Sequence, residues 1–310
     1  MTGGRARTVF IGSGGFGRES LWRLAEHPDA QLVGVVTAPP RAAGRGGHTA
    51  VTPIHEAARH LEVNPILSPP RLREPTAVAD ILALEPELVV LADYGQIVPS
   101  RLLDVPHGAL NLHPSLLPRY RGATPIPAAI LAGDAETGVT LMRMDPGLDT
   151  GPIVAQTRVA IQGDETTPLL EETLEIEAAE LLMRYLGPWL RGKITAAPQS
   201  ESGASLTRPL RREDGRLDPN RSVVDLERQV RAYQPWPGSF VETEAGRVVV
   251  WRAEATPHGP PPGAFDEEGF GTGDGGRLRL REVQPAGGNR MSWDAFLRGR
   301  PSIVGSSILP

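Results

Sequence analysis

The 310-residue chain has no cysteine. That removes disulfides, thiolate metal ligands and cysteine nucleophiles at once. Lysine is nearly absent too: Lys193 is the only one, so arginine carries the positive charge. No apolar run approaches the roughly 20 residues of a membrane span. The run after the N-terminal segment, Thr8–Ile11, is too short for a signal peptide. A cytoplasmic protein with no membrane partner is expected. The net charge of −5 argues against a generally adhesive nucleic-acid binder, though not against a local basic face. The negative excess lies in residues 1–205, while residues 206–310 are close to neutral.

What is present is apolar content of 40% and a length that suits two ordinary domains. The first part alternates short apolar runs with helical patterns, as a parallel sheet with crossover helices requires. Strands are expected at 8–11, 31–37, 64–67, 87–92, 108–112, 138–144 and 152–159. Helices are expected at 15–26, 53–60, 78–84 and 125–132. A longer helix is expected from Pro168, with Thr167 as its N-cap and Gly187-Pro188 as its stop. Residues 192–205 are polar and rich in small side chains, and read as a linker. Beyond them lie a helical pattern at 223–232 and β-like runs at 247–253 and 277–283, the signature of a small β-rich domain. The expected division is therefore 1–191, a 192–205 linker, and 206–310.

Gly12-Ser13-Gly14-Gly15-Phe16-Gly17 follows the first strand and precedes a helix, which fits Gly-x-Gly-x-x-Gly. A dinucleotide site would also need an acid at the end of the second strand, yet that strand ends Val35-Val36-Thr37-Ala38-Pro39. Two other readings stand beside it. The glycines permit a tight strand-to-helix turn, or the backbone N–H groups there face a substrate.

Asn111-Leu112-His113-Pro114 and Asp145-Pro146-Gly147-Leu148-Asp149-Thr150-Gly151 hold the chemistry-bearing set. Asn111 and His113 are two apart, so on a strand they share a face. An amide can hold an oxyanion, an imidazole can move a proton, and a carboxylate can orient that imidazole. These are the groups an acyl transfer to an amine uses. The alternative is a satisfied core histidine. Either acid of that motif could supply the carboxylate, and Asp145 can also cap the turn that Pro146-Gly147 begins, which would leave it to shape the loop. No metal-ligand cluster accompanies them. Leu91-Ala92-Asp93-Tyr94-Gly95-Gln96-Ile97 follows a strand and offers an apolar slot with bare backbone, or else is an ordinary loop. Arg119-Tyr120-Arg121 and the flexible basic stretch Arg41–His48 are candidate phosphate contacts, though either sequence is also compatible with a solvated loop.

The Asn111–Pro118 run, Tyr94-Gly95-Gln96-Ile97, Ala43-Gly44-Arg45-Gly46, Arg121-Gly122-Ala123 and Gly147–Gly151 together resemble the 10-formyltetrahydrofolate-dependent formyltransferases. Arg212–Gly215, Tyr233–Gly238, Thr272–Gly275 and Val283–Gly287 extend the resemblance into the second domain, toward the branch that acts on initiator methionyl-tRNA. The resemblance implies an α/β chain. Its Rossmann-like formyltransferase domain has a mostly parallel sheet, and a smaller C-terminal β-barrel domain, like the oligonucleotide-binding fold, follows. It implies Asn111, His113 and Asp149 as the catalytic trio. Folate, a consumed co-substrate, would meet Leu91, Ala92, Asp93, Tyr94, Gly95, Ile97, Ser115, Leu116, Leu117 and Pro118. The tRNA would meet Arg41, Arg45, Arg119, Arg121, Arg208, Arg211 and Arg231. No metal is implied, and a monomer is expected. Three rival readings remain: formyl transfer to a sugar amine, a nicotinamide oxidoreductase, and a non-catalytic tRNA-binding protein.

Overall fold

The computed structural model describes residues 4–43 and 48–309. It divides into two compact units. The first contains residues 1–125, 136–160 and 171–207, and the second contains 126–135, 161–170 and 208–310. The first unit carries β1 (Ala6–Gly12), β2 (Ala30–Val36), β3 (Arg41–Ala43), β4 (His48–Ala50), β5 (Ile66–Leu67) and β6 (Leu88–Ala92). It continues with β7 (Ala109–His113), β8 (Arg121–Gly122), β9 (Glu136–Arg143), β10 (Ile153–Ala160) and β11 (Leu206–Thr207). Its helices are α1 (Arg18–Ala25), α2 (Pro53–His60), α3 (Pro75–Leu82) and α4 (Ser100–Leu103). Next in the chain come α5 (Pro125–Ala132), whose residues from 126 onward belong to the second unit, and α6 (Thr167–Leu190), which begins there and continues into the first.

The main sheet runs β10-β9-β7-β6-β1-β2-β5. Its five strands from β7 to β5 are parallel; β9 runs antiparallel to β7, and β10, antiparallel to β9, returns to the common direction. The chain steps outward from β1 in both directions, so the strand order reverses between β1 and β6. In an open parallel sheet such a switch point opens a crevice at the carboxyl ends of the strands. β6 and β7 are buried along their full length, as strands covered on both faces must be, which explains the continuous apolar run Leu88–Ala92.

Helix starts follow local chemistry. The Thr52 hydroxyl accepts from the His55 N–H (3.0 Å) and Pro53 occupies the first helical position of α2. The long helix departs from expectation at both ends. Thr166 supplies the first helical carbonyl, to the Leu170 N–H (3.0 Å), while the Thr167 hydroxyl donates to the Ala232 carbonyl instead of capping. Gly187-Pro188 does not stop α6. A proline in the last turn forfeits a single bond, the Arg191 N–H still reaches the Gly187 carbonyl (3.1 Å), and Gly192 at φ +65° ends the run. The stretch read as a loop around Arg41 pairs Arg41–Ala43 with His48–Ala50 as an antiparallel hairpin.

The second unit holds α7 (Val223–Ala232), β12 (Ser239–Thr243), β13 (Gly246–Thr256), β14 (Gly269–Gly271), β15 (Arg277–Pro285), β16 (Met291–Ser292) and α8 (Trp293–Gly299). Its sheet is wholly antiparallel, ordered β12-β13-β15-β14 with β16 on β15. Register shifts bend β13 near Arg252, which curls the sheet into a barrel-like form. Phe265, Phe270, Trp293 and Phe296 form its aromatic centre, with ring centroids 5.3–6.1 Å apart. Among the described residues no helix is long and apolar enough to cross a membrane.

Phe270 is fully buried and meets Phe265 edge-on. Phe270→Ala is expected to cost about 3–5 kcal/mol. Scanning calorimetry should show a lower melting temperature for the transition of the second unit.

Candidate active site

β7 ends at His113, and the first unit places the chemistry-bearing set at that carboxyl end. Asn111 and His113 lie on β7, 6% and 4% exposed. β9 runs beside them in register, His113 opposite Thr140 and Asn111 opposite Met142. The loop after β9 then brings Asp149 back. Its carboxylate accepts from the Gly122 N–H at Oδ2 (2.8 Å) and from Asn111 Nδ2 at Oδ1 (3.4 Å). The same Oδ2 lies 3.7 Å from His113 Nδ1. The other imidazole nitrogen, Nε2, is 2.9 Å from the Tyr120 carbonyl. A carbonyl can only accept, so Nε2 carries a proton, and Nδ1 is the nitrogen that faces the carboxylate. Asn111 Oδ1 is buried and has no hydrogen-bond partner among the described residues. An acceptor left this way is costly without a ligand to satisfy it.

The loop that delivers Asp149 is tightly specified. Asp149 has φ +52°, in the left-handed region, a conformation that costs a non-glycine residue about 1–2 kcal/mol. Asp145 Oδ1 accepts from the Gly147 N–H (3.0 Å) and from the Thr150 hydroxyl (2.8 Å), the loop-shaping part expected of it. A Cβ on Gly151 would strike the Arg143 carbonyl. Gln199 donates to the carbonyls of Asp149 (2.7 Å) and Gly151 (2.8 Å).

Three of these contacts were not foreseen: the Gly122 N–H, the Tyr120 carbonyl and Gln199. The Arg121-Gly122-Ala123 motif was a signal for the first. Nothing in the polar 192–205 stretch marked Gln199, because its partners are carbonyls about 50 residues away. That stretch lies along the first unit. Ala197 pairs with Ile153, and Leu206–Thr207 form β11 against β8.

The expected folate residues separate into two groups. Leu91 and Ala92 are enclosed in β6. Ser115 and Leu117 are buried as well: the Ser115 hydroxyl donates to the Arg119 carbonyl (2.6 Å), and the Leu117 N–H to Thr140 Oγ1 (3.1 Å). Leu116 packs toward Gly138. The side chains of Leu91 and Ala92 are packed inside the sheet, and those of Ser115 and Leu117 are enclosed in the turn that follows β7, so any contact these residues make with a ligand would be through their backbone. Pro118 uses its carbonyl for the Ser205 N–H. By contrast, Asp93 and Gly95 are exposed and Ile97 is 82% exposed. Tyr94 is half-buried, and burial pushes its phenol up to about 12.

The arginines also divide. Arg41 is exposed, and Arg45 lies outside the described residues. Arg119 is exposed with its guanidinium 4.9 Å from the Tyr120 ring centroid. Arg121 is turned inward, 6% exposed, onto Gln199 and Glu201. Arg231 is held by Glu227 and the Glu165 carbonyl. The Arg121 guanidinium is enclosed, while that of Arg231 is partly exposed and engaged within the second unit. Arg208 and Arg211 lie at the surface of the second unit. Arg208 grips Asp214 through two hydrogen bonds and holds its carboxyl down at about 2.

At the switch point between β1 and β6 the backbone carbonyl of Asp93 accepts from the Ser13 N–H (3.0 Å), and its carboxylate lies where a Cβ on Gly14 would be. Glu175 accepts from the Glu19 N–H (2.9 Å) in the first turn of α1. A Cβ on Gly12 would strike the Ala92 carbonyl and one on Gly17 would crowd the Ala92 side chain, so these glycines serve the close turn from strand to helix. Among the described residues no cluster suits a metal ion.

The model of the "Formyl transferase" family matches residues 6–186, and that of "Formyl transferase, C-terminal domain" matches 209–301. A protein of Roseiflexus sp. (strain RS-1) named methionyl-tRNA formyltransferase is 43% identical over 289 residues, 91% of this chain and 88% of its own. One of the same name from Myxococcus xanthus is 40% identical over 97% of both chains. Among solved structures, the sugar 3N-formyl transferase WlaRD superposes with TM-score 0.66 at 16% identity, covering 90% of this chain and 98% of that one. HypX from Aquifex aeolicus, in complex with tetrahydrofolic acid, gives 0.62 at 17%, over 95% of this chain and 47% of that one. These two likenesses bear on the fold alone.

Burial first, then Asp93 and Glu175, raise the Glu171 carboxyl above its ordinary value. The stability Glu171 contributes is present when it is protonated, and is lost as pH rises through its raised value. Glu171→Gln is expected to raise the melting temperature at pH 7, with the gain shrinking as the pH is lowered through the carboxyl range. Thermal unfolding from about pH 4 to about pH 8 would check the sign.

Proposed function

This chain belongs to the formyl transferase family, and from that membership we propose that it transfers a formyl group from 10-formyltetrahydrofolate to the free amino group of initiator methionyl-tRNA. The observation that carries the reading is the reach of the similarity. It runs through both domains at about 40% identity to proteins named for that reaction, while the trio alone would indicate only the chemistry.

The exposed loop after β6 suits a flat heteroaromatic ring. Ile97 gives an apolar edge, and Gly95 leaves open space where a Cβ would stand. The folate is consumed, and supplies the formyl carbon bound to its N10. Asn111 Oδ1, buried and unpaired, is suited to accept an N–H of the incoming amine. Asn111 Nδ2 has two hydrogens. One faces Asp149, and the other is available to the oxyanion that develops as the amine nitrogen bonds to the formyl carbon. His113 Nδ1 takes the proton the amine sheds, and Asp149, at 3.7 Å, stabilises the imidazolium. His113, directly or through a water, then returns the proton to N10 as the carbon–N10 bond breaks. The products are formylated methionyl-tRNA and tetrahydrofolate. No step calls for a metal.

The second domain, 206–310, is assigned to the tRNA, with Arg208 and Arg211 as its surface cations. Arg41 and Arg119 are the corresponding exposed groups of the catalytic domain, 1–191. All three catalytic groups come from one chain, so a monomer suffices, and a tRNA substrate places the reaction in the cytoplasm.

Purified protein is expected to formylate initiator methionyl-tRNA and not the elongator form. Formylation of a nucleotide-sugar amine instead would overturn the substrate reading and leave the chemistry standing. His113→Ala should lower kcat by about 10²–10⁴-fold with KM largely kept, and unchanged turnover would remove His113 from the mechanism.

A further inference from the structure

The carboxylate of Asp149 has two kinds of support. One acts on its oxygens: the Gly122 N–H and Asn111. The other acts on the backbone that carries it: Asp145 ties the start of the turn, and one side chain from outside the loop holds its end. Gln199 spends both amide hydrogens on the carbonyls of Asp149 and Gly151, on either side of Thr150. Its orientation is not free. Gln199 Oε1 accepts from Arg121 Nε (3.1 Å), and a guanidinium nitrogen can only donate. Turning the amide over would set a donor against Arg121 and an acceptor against two carbonyls. Arg121 is itself buried, and Glu201 holds its outer nitrogens (3.2 Å and 3.4 Å). The Arg121 backbone is pinned from the same strap: its N–H donates to the Ser205 carbonyl (2.9 Å) and its carbonyl accepts from the Thr207 hydroxyl (3.0 Å). The next residue, Gly122, supplies the N–H that holds the Asp149 carboxylate.

We infer that Gln199 is a positioning residue for the reaction: clamped by Arg121, it fixes the left-handed turn at Asp149 and so keeps the carboxylate beside His113 Nδ1. Segment 197–207 is thereby part of the catalytic architecture. Gln199 and Arg121 together hold the turn, and β11 on β8 holds the amide that the carboxylate binds. The inference rests on the formyl-transfer reading for its kinetic consequence, while its structural consequence stands apart from that reading.

The test uses the full-length protein with Gln199→Met, which keeps length and loses both donors, and Gln199→Glu, which keeps shape and reverses one hydrogen-bonding arm. Each is expected to lower kcat for formyl transfer by about 10²-fold, the scale of a misplaced catalytic group, with KM for folate and tRNA unchanged. In an Asp149→Asn background Gln199→Met should cost nothing further, because it acts through that carboxylate. Hydrogen exchange should quicken at residues 144–152 and at the Gly122 amide, and stay at wild-type values in the second unit. Wild-type kcat in both variants would overturn the inference. So would an equal loss with and without the Asp149→Asn substitution, which would mark a general structural defect. If the wild-type protein transfers no formyl group to methionyl-tRNA, the functional reading fails and the exchange measurement decides alone: unchanged protection at 144–152 overturns the positioning role.

Discussion

A single carboxylate in a left-handed turn, 3.7 Å from a buried imidazole, is the constraint around which the first unit is organised. Left to itself, Asp149 would relax its backbone and leave His113 Nδ1 facing nothing. Four separate devices resist that. Asp145 ties the start of the turn, Gly151 admits a backbone approach no side chain would allow, Gly122 donates to the carboxylate, and Gln199 holds two of the turn's carbonyls. Most of the bonds are to backbone groups, whose directions are set by the fold. That is how preorganisation is achieved without placing more titratable groups in the site.

The position of the site follows from what the protein does with its switch point. A doubly wound sheet offers a crevice between β1 and β6, and the glycine-rich turn there has the form of an anion cradle. There the Asp93 carbonyl takes the Ser13 amide, the Asp93 carboxylate stands against Gly14, and Glu175 takes an amide in the first turn of α1. The chemistry-bearing groups are two strands further along, at the end of β7, where an antiparallel neighbour changes the geometry. β9 runs back beside β7, and the loop that follows it returns Asp149 to Asn111 and His113. The 121–122 segment and the strap beyond residue 196 then fix the carboxylate from the other side. The same sequence feature that suggests a cofactor fold is, in the folded chain, a close turn whose glycines pack on Ala92.

Arg121 and Arg231 show how far charge alone misleads. Both were legible as basic residues near interesting motifs, and both are satisfied internally. Burial of a guanidinium needs several acceptors at fixed places. Most of those acceptors, Gln199, Glu201 and the Glu165 carbonyl, are remote in sequence from the arginine they serve. Leu91 is a different case: a strand covered on both sides has no polar alternation from which to read which way a side chain faces.

The amino-acid sequence by itself determined the α/β pattern of the first part, the β-rich second part, most element boundaries to within a few residues, and the membership of Asn111, His113 and Asp149 in one candidate set. Most of those features are local: periodicity, capping chemistry and a motif whose two-residue spacing puts Asn111 and His113 on one face; Asp149 joined them through the family resemblance. The tertiary structure alone decided which nitrogen of His113 faces the carboxylate, which arginines are solvent-facing, that the glycine-rich turn packs closely on Ala92, and that a glutamine about 50 residues from Asp149 holds its backbone. Each of these depends on a partner distant in sequence, and hydrogen-bond direction and burial exist only once the chain has closed on itself.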